Sequence, residues 1–206
     1  MRFLKVSFAL LVLGLAAYCF WPRTPSLKGF QPVRMAGLQT SIWKAASEKL
    51  QYELVLPFYQ IYEGEYHLPP AASLLMAIDS ARALHSFHSA RDAADQEAAL
   101  VPLERVFTRL KDETGAAFDP PLAARTELAV WGLRADPNRQ SDLTVAWSEL
   151  LGLLYGQPSR EAVPAAGTFA SASRMAGAGK WSNARTLAED AWHQVQQLGE
   201  KNSPAR

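Results

Sequence analysis

The stretch Pro69–Ala90, PPAASLLMAIDSARALHSFHSA, decides how the chain reads. Proline suits the first turn of a helix, where the amide has no intrahelical partner, so Pro69-Pro70 marks a start. Behind it Leu74, Leu75, Ile78, Ala81, Leu84, Phe87 and His88 share one helical face, mostly three and four residues apart. No turn signal interrupts them before Ala90. The spacing predicts a helix over about 71–90.

The same period extends in both directions. Towards the amino terminus, Met35, Leu38, Ile42, Ala45 and Lys49 predict a helix from Val33 to about Lys49, with Trp43 widening its stripe. Leu50–Tyr62 is dense in aromatics, and Pro57 predicts a kink or a restart near Phe58 because it removes a backbone donor. Gly64 breaks that run. Towards the carboxyl terminus, Asp95 is the expected N-cap of a helix carrying Ala99, Leu103, Val106 and Leu110, bent at Pro102 and ended by Gly115. Asp119-Pro120-Pro121 opens a short helix over Leu122–Leu133, and Ser141 is the expected cap of another reaching Leu154. Gly156-Gln157-Pro158 is a break. Helices over Ala165–Ala178 and Ser182–Leu198 follow. Nowhere do alternating β-branched residues stand between turn signals, so strands have no foothold. The expected fold is all-α, six to eight antiparallel helices in a bundle or short array over 33–198.

Ahead of this body stands Val6–Trp21, VSFALLVLGLAAYCFW, without a charged residue. Sixteen helical residues cover about 24 Å, and Phe3 and Leu4 with a snorkelling Lys5 bring the span near the ~30 Å of a hydrocarbon core. Tyr18, Phe20 and Trp21 cluster at the far end, where aromatics sit at a membrane interface. The expectation is an N-terminal transmembrane helix at 1–21 with membrane contact through residues 3–21, then a linker at 22–32 of about ten residues. Two alternatives stay open. Gly14-Leu15-Ala16 has the spacing of a signal-peptide cleavage site, and Cys19 suggests a lipoprotein, although bulky Tyr18 precedes it. Arg2 and Lys5 lie before the run and Arg23, Lys28 and Arg34 after it. The short charged amino-terminal tail resembles the start of an export signal, which places the body outside the cytoplasm as a single-pass membrane protein.

Charge excludes one partner class. Of the 21 Lys and Arg, Arg2 and Lys5 precede the body, which leaves 19 against 20 Asp and Glu. Such a near-neutral body has no basic footprint for nucleic acid. The one cysteine lies in the apolar run, so no intrachain disulfide forms. The last residues, 199–206, are polar and are expected to be disordered.

Gly179-Lys180-Trp181-Ser182-Asn183-Ala184, followed by Ala188 and Ala191, resembles the second half of a tetratricopeptide repeat. In that family a glycine ends one helix, an aromatic seals the turn, and small residues admit the neighbouring helix. Gly179, Trp181, Ala184, Ala188 and Ala191 would carry those roles. Asp95, Ala99, Leu103 and Val106 echo the second helix more faintly. Ile42-Trp43, the Leu-Pro-Pro run and the Leu-Glu-Arg helix resemble those of bacterial membrane-anchored helical proteins without an assigned activity, which implies no chemistry. A repeat array implies protein binding.

The best chemical cluster is His85, His88 and Asp92, which helical spacing puts on one face and which a fourth ligand would complete as a metal site. Favourable cation placement near a helix C-terminus explains the two histidines without any metal. Glu63, Glu65 and His67, beside Tyr62 and Tyr66, could rim a polar pocket or form a solvated loop. No Gly-x-Ser-x-Gly, phosphate-cradling glycine loop or His-Glu-x-x-His is present. Trp43, Trp131, Trp147, Trp181 and Trp192 read as core residues, and an aromatic groove is also what a peptide-binding helical array displays. The expectation is therefore a membrane-anchored interaction or scaffold module, not an enzyme, with no cofactor and a protein partner near the membrane. The alternatives are an accessory subunit of a membrane complex and a metal-dependent enzyme using His85 and His88.

Overall fold

Helices carry the chain, as the sequence periods require. The computed structural model describes Ser7, Gly14, Tyr18, residues 23–134, Asp136 and residues 138–201, and no strand occurs among them. The helices are α1 (Pro32–Ser47), α2 (Val55–Tyr59), α3 (Pro70–Ser89), α4 (Ala93–Gln96), α5 (Leu100–Thr114), α6 (Pro120–Arg134), α7 (Gln140–Tyr155), α8 (Ser159–Gly177) and α9 (Trp181–Lys201). A π-helical turn, Gln60–Glu65, continues α2. None of the described helices is long and apolar enough to cross a membrane. The apolar run expected to do so lies outside the described residues, apart from Ser7, Gly14 and Tyr18.

The breakers act where the sequence puts them. Gly115, Gly156 and Gly179 take left-handed backbone at φ +66°, +64° and +71°, a conformation glycine adopts without a Cβ penalty. The short connections they make fold each helix back along its predecessor, so α5 to α9 pack in sequence order.

Long-range packing then closes the series into a ring. The last helix returns to the first: Trp192 Nε1 on α9 donates to Gln39 Oε1 on α1 at 2.8 Å. Phe30 sits edge-on to the Trp192 ring at 5.1 Å, and Trp192 meets Phe169 of α8 at the same distance. Trp147 of α7 stacks on Phe169 at 4.8 Å. On the opposite side, Asp79 of α3 accepts from Arg105 and Arg109 of α5, each at 2.8 Å, and α2 leans on α3 and α1. An open array would leave α1 and α9 apart. Here their contact makes the fold a closed ring of helices.

Several local expectations change. The buried side of α3 is Ser73, Met76, Ala77, Ser80, Ala83, Leu84 and Phe87, whereas Leu74 and Leu75 are 47% and 49% exposed. Small residues let neighbouring helices approach, and two polar ones are paired: Ser80 with the Tyr62 hydroxyl at 2.8 Å, Asp79 with its arginines. Polar satisfaction and close approach outweigh the leucines' own burial. Asp92, not Asp95, caps α4, its carboxylate accepting from the Asp95 amide at 2.9 Å. Arg139 holds the N-cap position of α7 in place of Ser141, without a side-chain bond. Helix α8 starts earlier than expected and passes through Pro164. Burial of Ala162, Ala165 and Ala166 outweighs the one backbone bond the proline removes. At the other end α9 continues through Gly199 to Lys201, so part of the tail expected to be disordered is helical.

The segment expected to be a spacer is packed against the ring. Leu27 and Phe30 are core residues, Ser26 N donates to Tyr66 O at 3.0 Å, and Arg23 bonds both Glu63 (2.7 Å) and Leu68 O (3.0 Å). Residues 23–31 form no helix, and these tertiary contacts fix their path.

Candidate functional site

The centre of the ring is hollow. A cavity of about 170 Å³ is lined from α1 (Met35, Gln39, Ile42, Trp43), the α2–π turn (Phe58, Ile61, Tyr62, Tyr66), α3, α5, α6, α7 and α9. An apolar cavity of about 150 Å³ holds a benzene ring, so this one has room for a small aromatic molecule. Four indoles reach it: Trp43, Trp131, Trp147 and Trp192.

Helix α6 supplies its only charges among the described residues. Glu127, Trp131 and Arg134 stand four and then three residues apart on the face that also buries Val130, so all line the cavity. Glu127 Oε1 accepts from Trp131 Nε1 at 2.6 Å. Burial pushes the Glu127 carboxyl up to about 7, against the opposing pull of that bond and of Arg134. Burial likewise lowers Arg134 to about 10, which still leaves it a cation at neutral pH, and Glu127 works the other way. Both side chains are half-buried and line the cavity.

The guanidinium is held by an aromatic face, not by a carboxylate. Arg134 Cζ lies 4.3 Å from the centroid of the Trp43 ring, a cation–π contact between α6 and α1. Among the described residues Arg134 makes no ion pair within 4.0 Å, and its Nε is buried without a partner. Trp147 Nε1, on the α7 wall, is buried without one as well. Unpaired buried donors cost free energy, typically about 1–3 kcal/mol each. The phenols add no charge: burial raises Tyr62, Tyr66 (to about 12) and Tyr155.

The residues singled out in the sequence lie elsewhere. His85 Nδ1 and Nε2 sit 3.2 Å from Ser89 Oγ and Gln51 Nε2, His88 is exposed, and Asp92 is used as a cap. No group of three or more His, Cys, Asp or Glu side chains suited to a metal ion occurs among the described residues. A second pocket of about 210 Å³ adjoins the two histidines, but its polar groups Gln51, His85 and Ser89 satisfy one another. Glu63 and His67 line an open pocket with Arg23 and Thr24, whereas Glu65 does not. It is 2% exposed and structural, accepting from the Gln31 amide at 2.7 Å and Arg34 Nε at 3.0 Å. Glu63 pairs with Arg23 and accepts from the Tyr18 hydroxyl, both at 2.7 Å.

Around the repeat-like motif, Gly179 makes the left-handed turn, Trp181 opens α9, and Ala184, Ala188 and Ala191 are fully buried. An α8–α9 hairpin therefore forms, while no repeat array is shown. Sequence reasoning passed over Glu127 and Arg134. Their signal was two charges and a tryptophan on the face of a short helix that also carries Ala123 and Val130. Comparison with protein-family models, with curated proteins and with solved structures finds no match for this chain.

Proposed function

We propose that this chain is a binding domain tethered to a membrane by Val6–Trp21, and that its receptor is the ring cavity rather than an open groove. The carrying observation is the partly open space of about 170 Å³ with aromatic walls and two charged groups. Small-molecule sites have this composition, mostly apolar with a few convergent polar groups. The packed segment 23–30 supports the tether, since its bonds to Glu63, Tyr66 and Leu68 hold it on the ring. An extracytoplasmic ring on a single-pass anchor is part of the same reading. The test is saturable binding of small aromatic compounds by the full chain in detergent, followed by tryptophan fluorescence. Val130→Phe, which fills the cavity from a fully buried position, is expected to abolish it while leaving the chain folded. A stabilised Val130→Phe variant, with no compound binding either protein, would mean the cavity is only a packing defect.

A second reading, a scaffold or accessory-subunit role towards a protein partner near the membrane, is favoured by Leu74 and Leu75, which α3 leaves exposed. Crosslinking in membranes tests it. A recurrent membrane partner lost in Leu74→Ser, Leu75→Ser would support it, and an unchanged crosslink pattern would refute it.

A further inference from the structure

We propose that the cavity selects a small aromatic carboxylate, its oxygens taken by the Arg134 guanidinium and its ring held among Trp43, Trp131 and Trp147. The inference deepens the cavity-binding reading above and rests on it. Three independent features of the wall carry it. The guanidinium is a planar donor fork with no carboxylate of its own, held in place by the Trp43 face at 4.3 Å. Trp147, which also lines the cavity, carries a second buried donor without a partner, its Nε1. The remaining surface is aromatic and aliphatic, and about 170 Å³ accommodates one substituted six-membered ring rather than a fatty chain or a nucleotide.

Opposite charge is disfavoured by the same geometry. An ammonium ligand would face Arg134, and the one carboxyl available to it, Glu127, already receives the Trp131 indole at 2.6 Å. Glu127 also gives the site a pH dependence. The titratable groups that line the cavity are Tyr62, Tyr66 and Tyr155 from the π turn and α7, with Glu127 and Arg134 from α6. The three phenols are neutral and Arg134 is charged throughout the neutral range. Glu127 therefore alone changes charge there. Below its value of about 7 it is neutral and tolerates an anion, whereas above it a second carboxylate repels the ligand.

Calorimetric titration of the full chain with benzoate, benzamide, toluene and benzylammonium is the experiment. Benzoate is expected to bind at least ten-fold tighter than benzamide or toluene and to lose ten-fold or more in Arg134→Met. Its affinity is expected to fall several-fold from pH 6 to pH 8.5, and to stay level in Glu127→Gln. That pH profile keeps the test alive if Arg134→Met does not fold. Equal binding of benzoate, benzamide and toluene, unaltered by pH, would overturn the carboxylate assignment and leave the cavity as an apolar receptor. Preferred binding of benzylammonium would overturn it too. Failure of all four probes to bind would overturn both the assignment and the cavity reading.

Discussion

Replacing Glu127 by Gln should stabilise the protein at alkaline pH and leave it almost unchanged in acid. The carboxyl is raised from 4.5 to about 7, chiefly by burial. At about 1.36 kcal/mol per unit, ionising it inside the ring costs about 3 kcal/mol more than ionising it in the unfolded chain. The folded state holds the proton more tightly, so stability is full below pH 4.5, declines as pH rises through 7, and stays low above it. Glutamine never ionises, and its side-chain oxygen can still accept from Trp131 Nε1. It does remove the anion that partly offsets the burial of Arg134, which reduces the gain to about 2 kcal/mol at pH 8.5. Urea unfolding of parent and variant at pH 4.5, 6, 7 and 8.5, followed by circular dichroism, measures the difference directly. A difference independent of pH, or a variant less stable than the parent at pH 8.5, would refute the claim that Glu127 is buried and strained by ionisation.

Three further outcomes follow from named contacts. Asp79→Ala should cost about 1–3 kcal/mol, because it removes a buried carboxylate serving Arg105 and Arg109, which are 46% and 34% exposed and so recover some water. Burial pushes the Asp79 carboxyl up, but the bonds and charges of both arginines outweigh this and set it below the usual range. Its contribution is thus present above the ordinary carboxylate value and fades as pH falls through the lowered one, which acid titration of parent and variant will show. Gly152→Ala should destabilise by more than about 1 kcal/mol by thermal unfolding, since the new Cβ would lie 2.9 Å from Gln157 O, a backbone atom of the α7–α8 turn. His85→Ala with His88→Ala should change stability by less than about 1 kcal/mol and abolish no zinc-dependent shift in Tm, since neither ring is needed by the core. A zinc-dependent Tm in the parent that the double variant loses would refute this.

The legible part of the fold was its punctuation. Pro69-Pro70, Gly115, Asp119-Pro120-Pro121 and Gly156 each act through φ or a missing donor, properties that belong to the residue itself, and each ends or starts a helix near the expected place. Facing was less legible. On α3 the apolar stripe was right in part: Ala81, Leu84 and Phe87 are buried, whereas Leu74 and Leu75 face out, because Asp79 and Ser80 find partners at Arg105 and Tyr62, 26 and 18 residues away. The cavity was illegible for a related reason. Val130 and Trp131 look like ordinary core residues, and Glu127 and Arg134 look like the charged face of any helix, until other helices are placed around them.

The amino-acid sequence alone determined that the described body is all-α, where several of its helices break, and that its charges nearly cancel. Those properties are local or additive, set by dihedral preference, period and charge count. Only the tertiary structure decided that α1 meets α9, that the ring they close leaves a space among its helices, and that Arg134 rests on Trp43 beside it. Trp192 and Gln39 lie 153 residues apart, and whether such distant side chains meet depends on the summed packing of every helix between them.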